Sequence, residues 1–407
     1  MSTPPTKMHD FCEITSSKRI FASEYMSNGV PFYRSKEVIE RQSGKLNVST
    51  EIFISESRFE EISGRFGAPL EGDILLTSVG TLGVPYVVQK DERFYFKDGN
   101  LTWFRNFSGL DSDYLYYWLL SPIGKAELKK ATIGSSQSAY TINLLGGLSI
   151  SPHEIGEQRK IAHLLRTYDD LIAANQRRIQ LLEASARLLY REWFVKLKFP
   201  GHETVPVTDG VPEGWNKLPL SELADIIMGQ SPESKHFNED GEGMPFHQGV
   251  SDFGDRFVTH SIFSSHATRI AQPGDILCSV RAPVGRLNVT LDKIIIGRGL
   301  SAIRSKMGTQ SLLFYQMKNL FFQEDLIGGG AIFASVGKKE LFGQELLQPS
   351  EEVASAFENF ASGADQQIEA LTLQIRRLQE ARDMLLPELM SGALDVSSIA
   401  VPKEVEV

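Results

Sequence analysis

An internal repeat constrains the fold of this chain more than any other feature of its sequence. The segment Glu71-Gly-Asp-Ile-Leu75 returns 202 positions later as Pro273-Gly-Asp-Ile-Leu277. Further matches follow in the same order along the chain, at offsets from 194 to 214: Gly29-Val-Pro-Phe32 with Gly243-Met-Pro-Phe246, Gly83 with Gly285, Leu101 with Leu300, Arg105 with Arg304, and Ile133 with Ile327. The matches keep their order, and their offset varies as insertions in loops would make it vary. Such a series predicts a duplicated domain.

Each copy of the repeat is followed by a heptad pattern of apolar residues, in which spacings of four and three alternate. Such a pattern is typical of a long helix that packs against another helix. One seam alone would fit a core helix or a homodimeric coiled coil. Two seams at a constant offset of 196 in one chain favour pairing with each other, antiparallel because a domain lies between them. The predicted interface consists of Ile161, Leu165, Tyr168, Ile172, Asn175, Ile179, Leu182 and Leu189 in the first helix, and Phe357, Ile368, Leu371, Ile375, Leu378 and Leu385 in the second.

Polar residues and a proline interrupt this apolar pattern. Asn175 and Arg382 occupy seam positions, where polar groups cost stability but can fix register and orientation. Pro387 falls near the end of the second seam and is expected to kink or stop that helix.

The rest of the sequence predicts an α+β fold for each copy. Short β-like runs such as Tyr86-Val-Val88 and Lys293-Ile-Ile-Ile296 alternate with Gly and Pro turns. We expect two similar domains with mainly antiparallel, twisted sheets, separated by two long helices that form an antiparallel coiled coil. The predicted segments are a first domain (1–152), a first spacer helix (153–197), a Pro- and Gly-rich linker (198–214), a second domain (215–350), a second spacer helix (351–397) and an acidic tail (398–407).

Composition narrows the class of protein. The 407 residues, with 42% hydrophobic and 23% charged, are those of an ordinary soluble protein. The N-terminus has no apolar segment of a secretory signal, and the longest apolar runs are too short to span a bilayer. The only two cysteines, Cys12 and Cys278, form no CxxC pair, which argues against a disulfide framework and fits a reducing cytoplasm.

The net charge of −9 is unevenly distributed. Residues 1–150 and 215–350 each carry a net charge of −1, residues 151–214 carry none, and residues 351–407 carry −7. The two repeated domains are therefore nearly neutral and can still present a basic face, since local charge matters more than the total.

The common catalytic signatures are absent from the sequence. It contains no G-x-S-x-G elbow, no Walker A loop and no Asn-Pro-Pro-aromatic tetrapeptide. Gly297-Arg-Gly-Leu-Ser-Ala302 fits a dinucleotide fingerprint, but the residues after it favour a strand rather than the helix that would hold a pyrophosphate. His153-Glu-Ile-Gly-Glu157 lacks the second histidine of a zinc protease. We therefore expect neither a catalytic residue nor a bound metal.

Polar, basic and aromatic residues instead cluster in the turns of both copies. Arginine reads guanine, glutamine and asparagine read adenine, and lysine and serine hold phosphate groups. The alternative for each residue is an ordinary solvated loop. The DNA-contact candidates are Arg34, Lys36, Ser135, Ser136, Gln137 and Tyr140 in the first copy, and His247, Gln248, Arg281, Arg286, Arg298, Lys338 and Lys339 in the second.

Over nearly its whole length the chain resembles the specificity subunits of type I restriction–modification systems. The residues that carry the resemblance are the Gly-Asp-Ile-Leu repeats, Arg191-Glu-Trp-Phe194 with Phe199-Pro200, the Val-Pro-Glu-Gly-Trp215 that opens the second domain, and the ending Leu385-Leu-Pro-Glu-Leu-Met-Ser-Gly392. The resemblance implies two target-recognition domains, each reading half of a split DNA site, and a non-catalytic role. A protein-only coiled-coil scaffold and the recognition subunit of a related single-complex restriction enzyme are the alternatives.

The resemblance also implies partners and cofactors. Double-stranded DNA, two adenine-methylating modification subunits and restriction subunits are the expected partners. We expect no cofactor on this chain itself. The complex would use S-adenosylmethionine, and ATP with Mg²⁺ when the restriction subunit is present.

Overall fold

The chain divides into two compact units that each contain part of both long helices. The structure is a computed structural model, and it describes residues 6–44, 48, 50–133, 138–322 and 336–399. Unit 1 comprises Met1–Gln176 and Leu373–Val407, and unit 2 comprises Arg177–Thr372. The α+β class is confirmed, because each unit combines antiparallel sheets with helices.

Unit 1 contains short strands with helices between them. Its strands are β1 (Thr6–Lys7), β2 (Glu13–Thr15), β3 (Val30–Tyr33), β4 (Phe53–Ile54), β5 (Ile74–Thr77), β6 (Pro85–Val87), β7 (Tyr95–Phe96), β8 (Leu101–Arg105) and β9 (Ser149–Ile150). Its helices are α1 (Ser35–Gln42), α2 (Glu56–Phe66), α3 (Ser112–Leu120), α4 (Pro122–Lys130), α5 (Ile142–Gly146) and the first part of α6 (Ile155–Tyr190).

Unit 2 repeats this plan after the end of α6, which is followed by a π-helical turn at Arg191–Val195. The strands of unit 2 are β10 (Val207–Thr208), β11 (Val211–Pro212), β12 (Asn216–Pro219), β13 (Ala224–Met228), β14 (Phe237–Asn238), β15 (Met244–His247), β16 (Phe263–Ser264), β17 (Ile270–Ala271), β18 (Ile276–Ser279), β19 (Leu287–Val289), β20 (Ile294–Ile296), β21 (Leu300–Ser305) and β22 (Glu345–Gln348). Its helices are α7 (Leu220–Leu223), α8 (Gln310–Phe322), α9 (Lys338–Phe342) and the first part of α10 (Glu351–Ser391).

The strand order shows that the two units are copies of one fold. A four-stranded antiparallel sheet has the order β2-β8-β5-β6 in unit 1 and β13-β21-β18-β19 in unit 2. A second sheet contains β4-β3-β7 in unit 1 and the equivalent β16-β15-β20 in unit 2, each with one parallel pair among antiparallel ones. A third pairing, β1 with β9 and β12 with β22, closes each unit. The duplication inferred from the sequence repeat is therefore a duplication of topology.

The repeated Gly-Asp-Ile-Leu motif is structural in both units. Its apolar residues enter the central strands β5 and β18, whose residues are all buried. In unit 1, Asp73 accepts hydrogen bonds from the Leu70 N–H (2.9 Å) and from Trp103 Nε1 (2.8 Å). In unit 2, Asp275 accepts from the Gln272 N–H (2.8 Å) and from both Nε (2.7 Å) and Nη2 (2.9 Å) of Arg304. Each carboxylate thus ties the turn before one central strand to the neighbouring strand.

The two long helices run antiparallel within each unit. In unit 1, Ile161 and Leu165, near the start of α6, share a core with Leu389, near the end of α10. Asn175, which lies further along α6, donates a hydrogen bond to Gln374, which lies earlier in α10, at 3.3 Å. In unit 2, Tyr190 of α6 packs against Phe357 of α10, with ring centroids 6.0 Å apart. Every residue of the predicted helix interface is buried or half-buried.

The polar residues in the seams have partners in the structure. Arg382 Nη1 donates to Asp169 Oδ1 at 2.5 Å, and Tyr117 of α3 donates its hydroxyl to the same carboxylate at 2.6 Å. These bonds join α10, α6 and α3 of unit 1. These bonds form in only one axial alignment of the two helices. The polar groups therefore disfavour a shift of one helix along the other by a turn.

The sequence led us to expect that Pro387 kinks or stops the second helix, and Pro387 does not stop it. α10 continues through Pro387 to Ser391. The flanking Leu386, Leu389 and Met390 are buried in the core of unit 1. This burial stabilises the last turn enough to offset the loss of the backbone hydrogen bond that a proline cannot donate.

The predicted linker, 198–214, includes a short hairpin and is attached to the core of unit 2. Strands β10 and β11 pair within it. Phe199 packs on Trp215 with ring centroids 4.6 Å apart, and both side chains are buried.

We predict that Asp275→Ala loosens the central sheet of unit 2. The substitution removes three hydrogen bonds from a carboxylate that is 2% exposed. Because the Arg304 side chain remains half in solvent, we expect a loss of about 2 kcal/mol, or roughly 30-fold in the hydrogen-exchange protection of β18 and β21. Asp225→Ala is the control, since this carboxylate is 70% exposed and lies 3.9 Å from Lys306. Equal protection in the two variants would contradict the structural role of the motif.

Candidate nucleic-acid interface

Four loops of unit 2 meet at one edge of its sheets, and we call them the second loop cluster: residues 229–231, 248–249, 280–286 and 297–299. Backbone hydrogen bonds join them in series. The Gly297 N–H donates to His247 O at 2.8 Å, and the Val280 N–H donates to Gly299 O at 2.9 Å. Gln230 N–H donates to Ile296 O at 2.9 Å and closes the group. The edge of the sheets thus presents loops that are distant in sequence but fixed relative to one another.

Glycines allow these loops to approach closely. A Cβ atom added at Gly229 would lie 2.1 Å from the Gly297 carbonyl oxygen, and one at Gly299 would lie 2.4 Å from the Gln248 carbonyl oxygen. Both distances are far below contact, so only glycine fits. The Gly297-Arg-Gly segment is therefore a packing turn, and strand β21 follows it, as the sequence predicted, rather than a pyrophosphate-binding helix.

Unit 1 builds an equivalent cluster, the first loop cluster, from residues 34–35, 78–83, 97–100 and 138–140. Three of its backbone bonds repeat bonds of unit 2. Lys97 N–H to Tyr33 O (2.8 Å) matches Gly297 to His247, Ser78 N–H to Asn100 O (2.8 Å) matches Val280 to Gly299, and Tyr140 N–H to Ser78 O (3.1 Å) matches Val336 to Val280 (2.9 Å). The framework is thus conserved between the units, while the side chains it carries differ.

Three of the predicted arginines project from the second loop cluster. Arg281 and Arg286 lie on the loop between β18 and β19, and Arg298 lies on the turn between β20 and β21. All three are exposed, and within the described ranges none of their guanidinium groups has an ion-pair partner. Exposed guanidinium groups held on a rigid framework are suited to phosphate groups and to guanine edges.

The predicted lysines of unit 2 lie beside this cluster. Lys338 and Lys339 are exposed at the start of α9. The residue two positions before α9, Val336, is hydrogen-bonded to Val280 of the cluster. Lys338 Nζ lies 5.0 Å from the centre of the Phe342 ring.

The predicted basic residues of unit 1 are largely neutralised. Arg34 Nη2 lies 2.8 Å from the buried Glu37 and 3.7 Å from Glu51, and Lys36 Nζ lies 3.3 Å from Glu51. Arg34 therefore stabilises the first turn of α1, and its charge is already paired with these carboxylates. Tyr140 is half-buried against the loop of 78–83, with its hydroxyl near Gly83. Ser135, Ser136 and Gln137 lie outside the described residues.

His247 does not face solvent, contrary to the expectation that it contacts DNA. Its side chain is fully buried. Its Nε2 is hydrogen-bonded to His260 Nδ1 at 3.0 Å, its Nδ1 lies 3.3 Å from Asp252, and His260 Nε2 reaches Asp292 at 3.0 Å. His247 supports the loop beneath Gln248 instead of presenting a group to a duplex.

The structure adds residues that sequence reasoning missed. Arg269 is exposed, and its carbonyl accepts from the Ile296 N–H at 2.9 Å, so it lies at the same edge as the second loop cluster. Ser231 follows β13 and hydrogen-bonds both Gln248 and Arg298. Neither belongs to a repeat match. Only the pairing of β17 with β20 and of β13 with β21 brings them to this edge.

Comparison with known proteins finds similarity over most of the chain. Residues 5–184 match the type I restriction modification DNA specificity domain. The chain is 29% identical over 341 residues to the MjaX type I restriction enzyme specificity subunit assigned in Methanocaldococcus jannaschii, covering 80% of this chain and 79% of that protein. It is 24% identical over 420 residues to the MjaIX specificity subunit of the same organism, covering 97% and 94%. Over most of its length the chain is therefore similar to type I restriction enzyme specificity subunits.

A solved structure has the same fold. The S subunit of a type I restriction–modification system from M. genitalium superposes with a TM-score of 0.63 at 14% identity, over 95% of both chains. The resemblance stated from sequence motifs is therefore confirmed, as is the α+β architecture with long helices.

The names of these relatives imply a non-catalytic subunit, and two further observations concern this chain itself. In the part of the chain that the structure describes, no helix is long and apolar enough to cross a membrane. Over the same residues, no three His, Cys, Asp or Glu side chains are grouped so as to hold a metal ion. Cys12 and Cys278 are buried thiols, and burial raises the pKa of each to about 12, which suppresses thiolate chemistry.

We predict that the buried histidine makes unit 2 sensitive to acid. Burial, with a smaller effect of His260, lowers the pKa of His247 to about 4, although Asp252 opposes the shift. The unfolded chain would take up the proton near pH 6.5, so stability is full above that pH and falls as the pH drops towards 4, by up to about 1.4 kcal/mol per pH unit.

Pulse proteolysis of unit 2 in urea, repeated between pH 7 and pH 4.5, measures this slope. His247→Gln should flatten it, because the buried titrating group is removed. His266→Gln, at an exposed histidine, is the control and should keep it. An unchanged slope in His247→Gln would show that other groups cause the acid sensitivity.

Proposed function

We propose that this chain is the DNA sequence-specificity subunit of a type I restriction–modification complex, in which each unit reads one half of a bipartite site. The observation that carries the proposal is the pair of loop clusters. The same hydrogen-bonded framework occurs once in each unit, and the loops it holds differ in sequence. A framework kept constant while its side chains vary is what independent reading of two half-sites requires.

The side chains of the second loop cluster match the chemistry of a duplex. Arg281, Arg286, Arg298 and Gln248 are exposed on loops whose backbones are fixed. Arginine can donate two parallel hydrogen bonds to guanine O6 and N7, and a glutamine amide can pair with a base edge in the major groove. In unit 1, where Arg34 and Lys36 are already paired with acids, shape and apolar contacts would carry more of the recognition.

The chain would act only within a complex. Its repeated domains are nearly neutral, so much of the phosphate attraction would come from partner subunits. We propose two modification subunits that methylate adenine with S-adenosylmethionine, and restriction subunits that use ATP and Mg²⁺, with no cofactor on this chain. The target adenine would be flipped into a modification subunit, because methylation needs the base outside the stack. The two reduced cysteines are compatible with the cytoplasm as its location.

We predict that the affinity of the assembled complex for its DNA falls steeply with salt. A complex that contacts phosphates releases counterions, so the logarithm of the binding constant falls linearly with the logarithm of salt concentration. Filter binding between 50 and 200 mM salt (about a 10³-fold loss for six or more phosphate contacts) tests this. A flat response would favour a protein-only scaffold.

We predict that Arg281→Ala relaxes or abolishes one half-site and leaves the other half-site unchanged. The side chain is exposed on the second loop cluster, and unit 1 has its own framework. Arg281→Lys is the matched variant: it keeps a charge for phosphate but loses the two-pronged geometry for guanine. The readout is methylome sequencing of a host that expresses each variant with its modification subunits.

The three possible outcomes separate the roles of Arg281. Loss of specificity in both variants assigns Arg281 to a base, with discrimination of about tenfold or more. Weaker methylation of an unchanged site in Arg281→Ala alone assigns it to phosphate, because phosphate contacts carry no sequence information. Unchanged specificity and unchanged extent of methylation in both variants remove Arg281 from the interface.

A further inference from the structure

Gln248, at the tip of the second loop cluster, is oriented by a chain of hydrogen bonds through two other loops. The Arg298 backbone N–H donates to Ser231 Oγ at 3.2 Å. The Ser231 hydroxyl donates in turn to Gln248 Oε1 at 2.6 Å. Because the amide oxygen carries no hydrogen, the serine hydroxyl is the donor in this contact, and the chain ends on the amide oxygen.

The amide oxygen faces into the cluster. A Cβ atom added at Gly297 would lie 2.7 Å from Gln248 Oε1, so the oxygen rests against the glycine turn on one side and against Ser231 on the other. The Gln248 side chain as a whole is exposed. Its Nε2 has no hydrogen-bond partner among the residues that the structure describes. The outward group of this side chain is therefore the NH₂ donor.

We propose that Gln248 reads the duplex as a hydrogen-bond donor and selects guanine in the half-site of unit 2, with Ser231 as the positioning residue that sets this polarity. Glutamine usually reads adenine with its oxygen and nitrogen together, and that mode needs the oxygen to face the base. With the oxygen turned inward, the two N–H groups match a base edge that offers only acceptors. Guanine presents both O6 and N7 as acceptors in the major groove, whereas cytosine presents only the N4 donor.

The surrounding charges favour the same base. Arg298, whose backbone begins the hydrogen-bond chain, carries an exposed guanidinium group on the adjacent turn. Arg281 lies on the loop that is bonded to the same turn through Val280. Donors therefore dominate this part of the cluster, and an acceptor-rich base edge is complementary to them.

This inference rests on the proposed function and is tested in the assembled complex. The complexes contain the unaltered chain, Gln248→Glu, Ser231→Ala or Ser231→Thr. Each is measured by methylome sequencing and by competition binding to duplexes that differ by one base pair in the half-site of unit 2. Gln248→Glu keeps the size of the side chain but presents an acceptor, which matches the cytosine N4 donor. Ser231→Thr keeps the hydroxyl, and Ser231→Ala removes it.

We expect a guanine to be required at one position by the unaltered complex. Gln248→Glu should move the preference at that position towards cytosine, by about tenfold or more. Ser231→Ala should relax that position, so that adenine is also accepted, while Ser231→Thr should restore guanine. Recognition of the other half-site should stay unchanged throughout, which shows that the variants are folded and assembled.

Two different failures can be distinguished. If the unaltered complex methylates no bipartite site and binds DNA independently of salt, the proposed function itself fails. If it recognises a bipartite site but the Gln248 and Ser231 variants keep every base preference, only the assignment of Gln248 and Ser231 is overturned. A loss of all specificity in Ser231→Thr as well as in Ser231→Ala would show a structural role for Ser231 and would also overturn the assignment.

Discussion

The register of the central strands in each four-stranded sheet is the constraint on which the loop clusters depend. Ile74 lies opposite Phe104 in unit 1, and Ile276 lies opposite Ile303 in unit 2. Slipping either pairing by one residue would turn buried side chains to the other face of the sheet. The carboxylates of Asp73 and Asp275 add a second restraint, because each bonds the turn before one strand to a side chain of its neighbour. The loops beyond these strands are therefore held where the register puts them.

Duplication allows a fixed framework to carry variable chemistry. Backbone hydrogen bonds join the loops of both clusters, and backbone groups do not depend on side-chain identity. Unit 1 has filled its cluster with paired charges such as Arg34 with Glu37, whereas unit 2 leaves Arg281 and Arg298 exposed. One fold can thus hold two surfaces with different electrostatics, which the proposed reading of a split site requires.

Several features of the site could not be foreseen from residue type alone. His247 and Gln248 are adjacent in sequence, yet the first is fully buried and the second is exposed, because alternate residues of a strand and its following turn face opposite ways. The sequence predicted that Arg34 contacts DNA, but its guanidinium group forms an ion pair with Glu37, which lies one helical turn further along the chain. Ser231 and Arg269 carried no repeat signal, since each reaches the cluster through strand pairing between segments far apart in the chain. Pro387 shows the same limit for a helix, because burial of its neighbours in the core of unit 1 overrides local propensity.

The sequence by itself determined the duplication, the α+β class, the two helical seams and the resemblance to specificity subunits, because these are written in ordered repeats, heptad spacing and short motifs. Such signals are local or periodic, and they survive without knowledge of contacts. The tertiary structure alone decided which loops meet, which charges are already paired and which way the Gln248 amide points. Those properties arise from strand register and from hydrogen bonds between loops tens of residues apart, such as the bonds from Arg298 to Ser231 and from Ser231 to Gln248, and no pattern within a single segment encodes them.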